Sequence, residues 1–245
     1  MKIIERAEKI KPPKICIYGQ PGIGKSWLAA QAINPVAIDV EGGLDHVPVP
    51  RTDRVRDQYS LQAAIEAVKK SKYNTVIFDT IEAIEDVMVK DLCLAKGVNS
   101  LADFGYGKGY DALNKAWLVL LDEIDYLVEY CRKSVILVGH EQQQLYKDPM
   151  GDDYDRITLK MNKKSALTLI SRMDALFYMT HQKYSQTVGE GLNETVKIKS
   201  VGDKILKTTD HPVYVAKNRF GYTKDIDVND SVMQEIQLTA MKKRN

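Results

Sequence analysis

The stretch ICIYGQPGIGKSW, Ile15 to Trp27, decides how the rest of the chain is read. The apolar run Ile15–Tyr18 has the length and composition of a short buried strand. Glycines and a proline then break it, and the chain resumes as a helix over Lys25–Ile33. That helix ends near Asn34-Pro35, because the residue before a proline is pushed out of the helical region. The pattern Gly-x-x-x-x-Gly-Lys-Ser is complete from Gly19 to Ser26. Such a loop turns its backbone N–H groups inward around phosphate oxygens, since glycine permits close approach. The following helix start adds the positive end of its dipole. Gly19, Gln20, Pro21, Gly22, Ile23, Gly24, Lys25, Ser26 and Trp27 are therefore candidate nucleotide-binding residues. Lys25 is placed to reach the outer phosphates, and the Ser26 hydroxyl to bind Mg²⁺.

Outward from this loop the chain alternates strands and helices. "PVAIDVE" (Pro35–Glu41), "NTVIFDT" (Asn74–Thr80) and "SVILVG" (Ser134–Gly139) read as strands. Leu61, Ala64, Ile65 and Val68 mark one helical face. Leu113, Trp117, Leu120, Leu121, Ile124, Val128 and Cys131 form a longer stripe. The alternation predicts an α/β fold with a mostly parallel central sheet and helices on both faces. After Asn162 the texture changes. Lys163–Arg172 reads as a short helix, Ala175–Lys183 and Thr195–Val201 as strands around the hairpin signal "VGEGLN", Val213–Lys217 as a further strand, and Asp230–Met241 as a last helix. No linker separates this part, so a single domain is expected over 1–245: a lead-in at 1–14, a phosphate-loop core at 15–160, and a C-terminal antiparallel extension at 161–245.

The chain has 245 residues, 44% of them hydrophobic, which suits a full core and argues against disorder. Its formal charge of +2, from 35 basic and 33 acidic residues, neither requires nor excludes nucleic acid. Cys16, Cys93 and Cys131 lack metal-ligand spacing and read as reduced thiols. With no leader-like stretch and no membrane-length apolar run, a cytoplasmic protein without membrane association is expected.

Two strand ends carry acids. Asp79 closes "TVIFD" at the sheet edge where open α/β folds bind ligands, placing it to support Mg²⁺ with Ser26. Asp39 and Glu41 follow the second strand at the same edge; one of them can orient an attacking water, and spacing does not separate them. Glu82 and Glu85 lie just beyond Asp79, on the next helix. His140 ends the fourth strand.

"AIDVEGGLD" resembles the second core strand of the RecA-like ATPases, whose Ile-Asp-x-Glu stretch supplies a catalytic glutamate. The resemblance implies Glu41 as general base, with Glu82 and Glu85 as alternatives. In typical AAA+ ATPases the glutamate directly follows the Mg²⁺ aspartate, whereas here Thr80 follows Asp79. At His140 the resemblance implies a γ-phosphate sensor, although a glutamine is usual there; Glu141 and Gln142 are fallback sensors. "KNRFG" (Lys217–Gly221) is similar to a motif of bacterial RadA-type ATPases and to the Lys-x-Arg segment of DnaB-type helicases, which implies that Lys217 and Arg219 act on a neighbouring protomer's nucleotide. Residues two apart on a strand share a side. The order of motifs from Ile15 to Gly221 resembles the RecA-like phage ATPases, grouped as phage nucleotide-binding proteins or Sak-type single-strand annealing proteins. That implies ATP with Mg²⁺, a homo-oligomer with nucleotide between protomers, single-stranded DNA, and cooperation with a single-strand DNA-binding protein.

Two segments are candidates for DNA. Phe104, Tyr106 and Lys108 sit among glycines and aromatics suited to base stacking. Tyr146 and Lys147 follow His140 in a segment read as a mobile loop, with an acidic tip, and Lys163 and Lys164 offer charge beyond it. Lys197, Lys199, Lys204 and Lys207 read as a solvated face. Alternatives are a nucleotide-switched assembly or loader protein acting on a protein partner without DNA, a helicase-like translocase, and a phosphate-transferring kinase.

Overall fold

The computed structural model describes residues 11–149, 151–188 and 195–242, with the backbone alone over 183–201. In chain order the phosphate-loop half contains β1 (Lys14–Gly19), α1 (Lys25–Ala30), β2 (Pro35–Asp39), α2 (Gln58–Lys69), β3 (Thr75–Asp79), α3 (Ile81–Lys96), α4 (Lys108–Glu129), β4 (Ser134–Tyr146) and β5 (Tyr154–Leu159). The remainder contains α5 (Lys163–Arg172), β6 (Ala175–Val188), β7 (Thr195–Lys207), β8 (Lys217–Asn218), β9 (Ile226–Asp227) and α6 (Val232–Ala240).

The sheet runs β2-β3-β4-β1-β6-β7-β9. β2, β3, β4, β1 and β6 are mutually parallel, while β7 and β9 continue the sheet antiparallel. Parallel strands are buried on both faces, which is why β1 and β3 are apolar throughout their middles. Cys16, Tyr18, Phe78 and Leu137 point to the layer of α2, α3, α4 and α5. Ile15, Ile17, Ile77 and Ile136 point to the layer of α1 and α6. The fold is thus the expected α/β P-loop NTPase architecture, helices on both faces and antiparallel strands after the core.

Polar side chains tie the layers together. Glu85 is buried: one oxygen accepts from Trp117 Nε1 of α4 at 2.7 Å, the other from the Asn162 N–H before α5 at 2.6 Å. It holds three helices together rather than facing the phosphate loop. Gln237 of α6, fully buried, accepts from the Ile33 N–H at 2.8 Å and donates to Thr75 Oγ1 at 2.9 Å.

Several expected boundaries shift. The helix after the phosphate loop ends at Ala30, and β2 ends at Asp39 rather than Glu41. The segment after His140, read as a mobile loop, is instead a β-hairpin: β4 continues to Tyr146 and pairs with β5 from Glu141↔Leu159 to Tyr146↔Tyr154. The Tyr146 and Tyr154 rings pack 5.2 Å apart, the kind of cross-strand contact that stabilises an antiparallel pair. Val213–Lys217 is not a continuous strand: Tyr214 forms isolated bridges to Ile157 and His211, and the short strand β8 spans only Lys217 and Asn218. The hairpin β6–β7 is longer than expected, and part of its turn signal, together with residues 1–10, lies outside the described residues, as do the Lys197 and Lys199 side chains.

Replacing Gln237 with Leu keeps the volume of the side chain but leaves the Ile33 N–H without its partner. Urea denaturation is expected to show a loss of about 2 kcal/mol, the cost of a buried unsatisfied donor.

Candidate active site

The parallel register places Gly19 beside His140, and Asp79 beside both Val138 and Asp39. β4 lies between the phosphate-loop strand and the Asp79 strand, so His140 emerges between the loop and Asp79. Two glycines make the loop possible. A methyl group on Gly19 would lie 2.3 Å from the Met179 carbonyl oxygen, and Gly24 has φ of 101°, a conformation that strains any side chain.

Lys25 is buried, its ammonium donating to the Gly19 and Gln20 carbonyls at 3.0 and 2.8 Å. Burial lowers its pKa, against the opposing field of Glu82, Asp79, Glu41 and Glu141. Trp27 turns outward and is half exposed. Behind the lysine, Asp79 is buried and accepts a hydrogen bond from the Ser26 hydroxyl. Its peptide bond to Thr80 is cis. Burial raises the Asp79 pKa to about 6; the charges of Glu41, Glu82 and Asp39 push the same way, and the Ser26 bond pulls it down. Asp79 Oδ2 is buried with no hydrogen-bond partner among the described residues. A hydroxyl and an orphaned carboxylate oxygen beside a phosphate loop form the hard oxygen set that Mg²⁺ takes, so these residues fit the ion.

The structure separates the two acids after β2. Asp39 accepts from the Gly42 N–H at 2.7 Å and faces Arg51 Nε at 3.9 Å, shaping the turn. The Val40 and Glu41 N–H groups both donate to the Asp79 carbonyl, at 3.0 and 3.1 Å. The Glu41 carboxylate is brought to Glu82 and His140, whose ligand atoms and its own all lie within 4.8 Å of one another. His140 Nδ1 is paired with Glu82, and the His140 N–H reaches the other Glu82 oxygen at 3.2 Å. Sequence spacing held Glu82 only as an alternative base; its place in the first turn of α3, directly after the Asp79 strand, makes it the partner that orients His140.

Lys217 and Arg219 are not brought to this edge. β8 pairs with Ala175 and Leu176 at the start of β6, level with Ile15 at the opposite end of β1. Lys217 donates to the Ile170 and Ser171 carbonyls at 2.7 and 3.1 Å, closing the end of α5. Asn218 builds the turn, accepting from the Gly221 and Tyr222 N–H groups. β8 ends at Asn218, and the Arg219 N–H donates to the Asp174 carbonyl at 2.9 Å, just before the start of β6. Arg219 is largely exposed and pairs with Asp174 at 3.4 Å.

The candidate DNA residues divide likewise. Phe104 packs against the core, correcting its reading as a stacking platform, whereas Tyr106 is fully exposed. Lys164 pairs with Asp111, one turn beyond Lys108, so the starts of α4 and α5 lie together. Tyr146, Lys147 and Lys163 are exposed. Among the described residues no helix is long and apolar enough to cross a membrane.

Asp79 gives a pH test. Between its ordinary value of 3.8 and the native value of about 6 the folded state binds more protons than the unfolded one. Stability without metal therefore falls as pH rises through that window and stays reduced above it. Asp79→Asn is expected to remove this slope, to stabilise the metal-free protein at pH 7 by on the order of 2–3 kcal/mol, and to abolish further stabilisation by Mg²⁺ with nucleotide. Urea titrations across pH measure all three.

A model of the AAA domain family matches residues 11–220. No curated protein matches the chain. With the match spanning both the phosphate loop and the Asp79 strand, the chain belongs to the AAA domain family and is a P-loop nucleotide-binding ATPase.

Proposed function

We propose that this protein is a Mg²⁺-dependent, RecA-like ATPase that oligomerises on single-stranded DNA and serves recombination or strand annealing in phage DNA metabolism. The observation that carries the reading is the position of Glu41. It reaches the site from the end of β2, against His140, and not from the residue after Asp79. In the hydrolysis reading, the Glu41 carboxylate accepts a proton from the attacking water, and Lys25 holds the phosphates in place. Ser26 and Asp79 would hold Mg²⁺, which when bound would supply charge neutralisation on the phosphate oxygens. His140 is oriented by Glu82 on a strand that runs on without a break into the β4–β5 hairpin. A displacement of His140 would thus be carried along a paired strand to Tyr146 and Lys147, the exposed residues we assign to DNA. A single-strand DNA-binding protein fits as a partner of that activity.

The oligomer enters through Arg219. Across the length of β1, roughly 20 Å, it lies too far to serve its own phosphate loop, so the nucleotide it could meet belongs to a neighbouring copy. Lys217 joins that role only if it leaves the end of α5. A second reading, an assembly protein without DNA, is favoured by the acidic tip of the β4–β5 hairpin, which carries Asp148, Asp152, Asp153 and Asp155. Absence of both DNA stimulation of ATP turnover and nucleotide-dependent gel shift would favour this second reading.

Glu41→Gln is expected to lower ATP turnover by about 10²-fold or more while leaving nucleotide binding near wild type. Lys25→Ala and Arg219→Ala are each expected to be inactive. Mixing the two should recover part of the activity, because a shared site pairs the intact loop of one with the intact arginine of the other. No recovery on mixing would place Arg219 outside the site.

A further inference from the structure

We infer that Lys204, from the antiparallel extension, is a second phosphate-contacting cation of the same protomer's nucleotide site. The inference rests on the reading of Gly19–Ser26 as a phosphate loop. A methyl group built on Gly24 would lie 3.1 Å from Lys204 Nζ, so the ammonium already stands over the loop at the glycine preceding Lys25.

The register of the sheet explains how it gets there. β6 lies beside β1, with Met179 level with Gly19, and Leu206 of β7 lies opposite Met179. Leu206 is buried with Ile23 and Leu28, on the face that α1 covers. Lys204 is two residues back along β7, so its side chain leaves on that same face, opposite His181 and beyond the level where β1 ends. The backbone is held there, since the Lys204 carbonyl accepts from the Val228 N–H at 2.9 Å.

The charge is uncommitted. Lys207, nearby on the same strand, is taken by Asp225 at 2.7 Å, whereas Lys204 forms no ion pair among the described residues. The ammonium of this half-buried lysine, standing over a glycine-rich loop at a helix start, adds to a field that attracts an anion, and a nucleotide phosphate is the anion this loop would take. Unlike Arg219, Lys204 needs no neighbour to act.

Titration with a fluorescent nucleoside triphosphate in the presence of Mg²⁺ tests this. Lys204→Met retains the aliphatic stem and is expected to raise Kd about tenfold, the scale of one charge-assisted contact, while Lys204→Arg stays within about threefold. Both should keep the wild-type thermal midpoint without nucleotide. Wild-type affinity in Lys204→Met, with binding lost in Lys25→Ala, would overturn the role of Lys204 and leave the phosphate loop standing. No nucleotide binding by the wild-type chain would bring down both. A measurement on the wild-type protein does not depend on how the variants fold. Amine acylation read by mass spectrometry should show nucleotide protecting Lys204 but not the exposed Lys163, and equal labelling of Lys204 with and without nucleotide would refute the contact.

Discussion

Parallel pairing of β1, β4 and β3 brings the ends of β1 and β3 and the middle of β4 to one edge, and the candidate site depends on that alignment. Gly19 opens the phosphate loop at the end of β1, His140 stands beside it on β4, and Asp79 ends β3 one strand further on. A slip of one residue in any of these pairings would turn the alternate side chains to the other face and bury the wrong set. The register is held by the two apolar layers, which take alternate residues of the same strands. Hydrophobic packing of the sheet and placement of the chemistry are therefore one problem with one solution.

Within that frame the site concentrates like charge. Asp79 is buried, without a partner on one oxygen among the described residues, and burial first, then Glu41, Glu82 and Asp39, push its pKa up. Lys25 answers part of this field, yet its ammonium is held by loop carbonyls and its own pKa is lowered by burial. Groups of this kind cost stability in the protein alone and are relieved by a cation and a polyphosphate, which couples ligand binding to the stability of the fold. The double N–H contact from Val40 and Glu41 to the Asp79 carbonyl ties β2's end to β3's, so Asp79 and Glu41 are positioned by one piece of backbone.

The C-terminal extension has a different share in this economy than its sequence suggests. The Tyr18 hydroxyl donates to the Val215 carbonyl at 2.5 Å, and Arg219 N donates to the Asp174 carbonyl at 2.9 Å, so the segment leading through "KNRFG" is sewn to the start of the sheet. Most of that motif is structural here: Lys217 closes a helix, Asn218 forms a turn, and Phe220 packs beside the α1–α6 layer. Arg219 alone keeps a largely exposed side chain. β7, read as a solvated basic face, instead sends Lys204 over the phosphate loop and buries Leu206 beneath α1.

What was legible in the sequence was local. A strand, a glycine turn and a helix start over Ile15–Ala30 follow from periodicity and backbone freedom within a few residues, and the stripe from Leu113 to Val128 follows from helical spacing. Asp79 at a strand end was legible for the same reason. Tertiary structure decided everything that depended on a partner distant in the chain. Asp39 and Glu41 carry the same carboxylate group at nearly the same position, and Arg51 and the Gly42 turn on one side, with Glu82 and His140 on the other, tell them apart. The segment after His140 became a strand because Tyr154–Leu159 was there to pair with it. Phe104 was drawn inward by the core, and Lys204 was carried to the phosphate loop by a register set two strands away. Backbone conformation is chosen by neighbours along the chain, whereas the work of a charge is chosen by what the fold places opposite it.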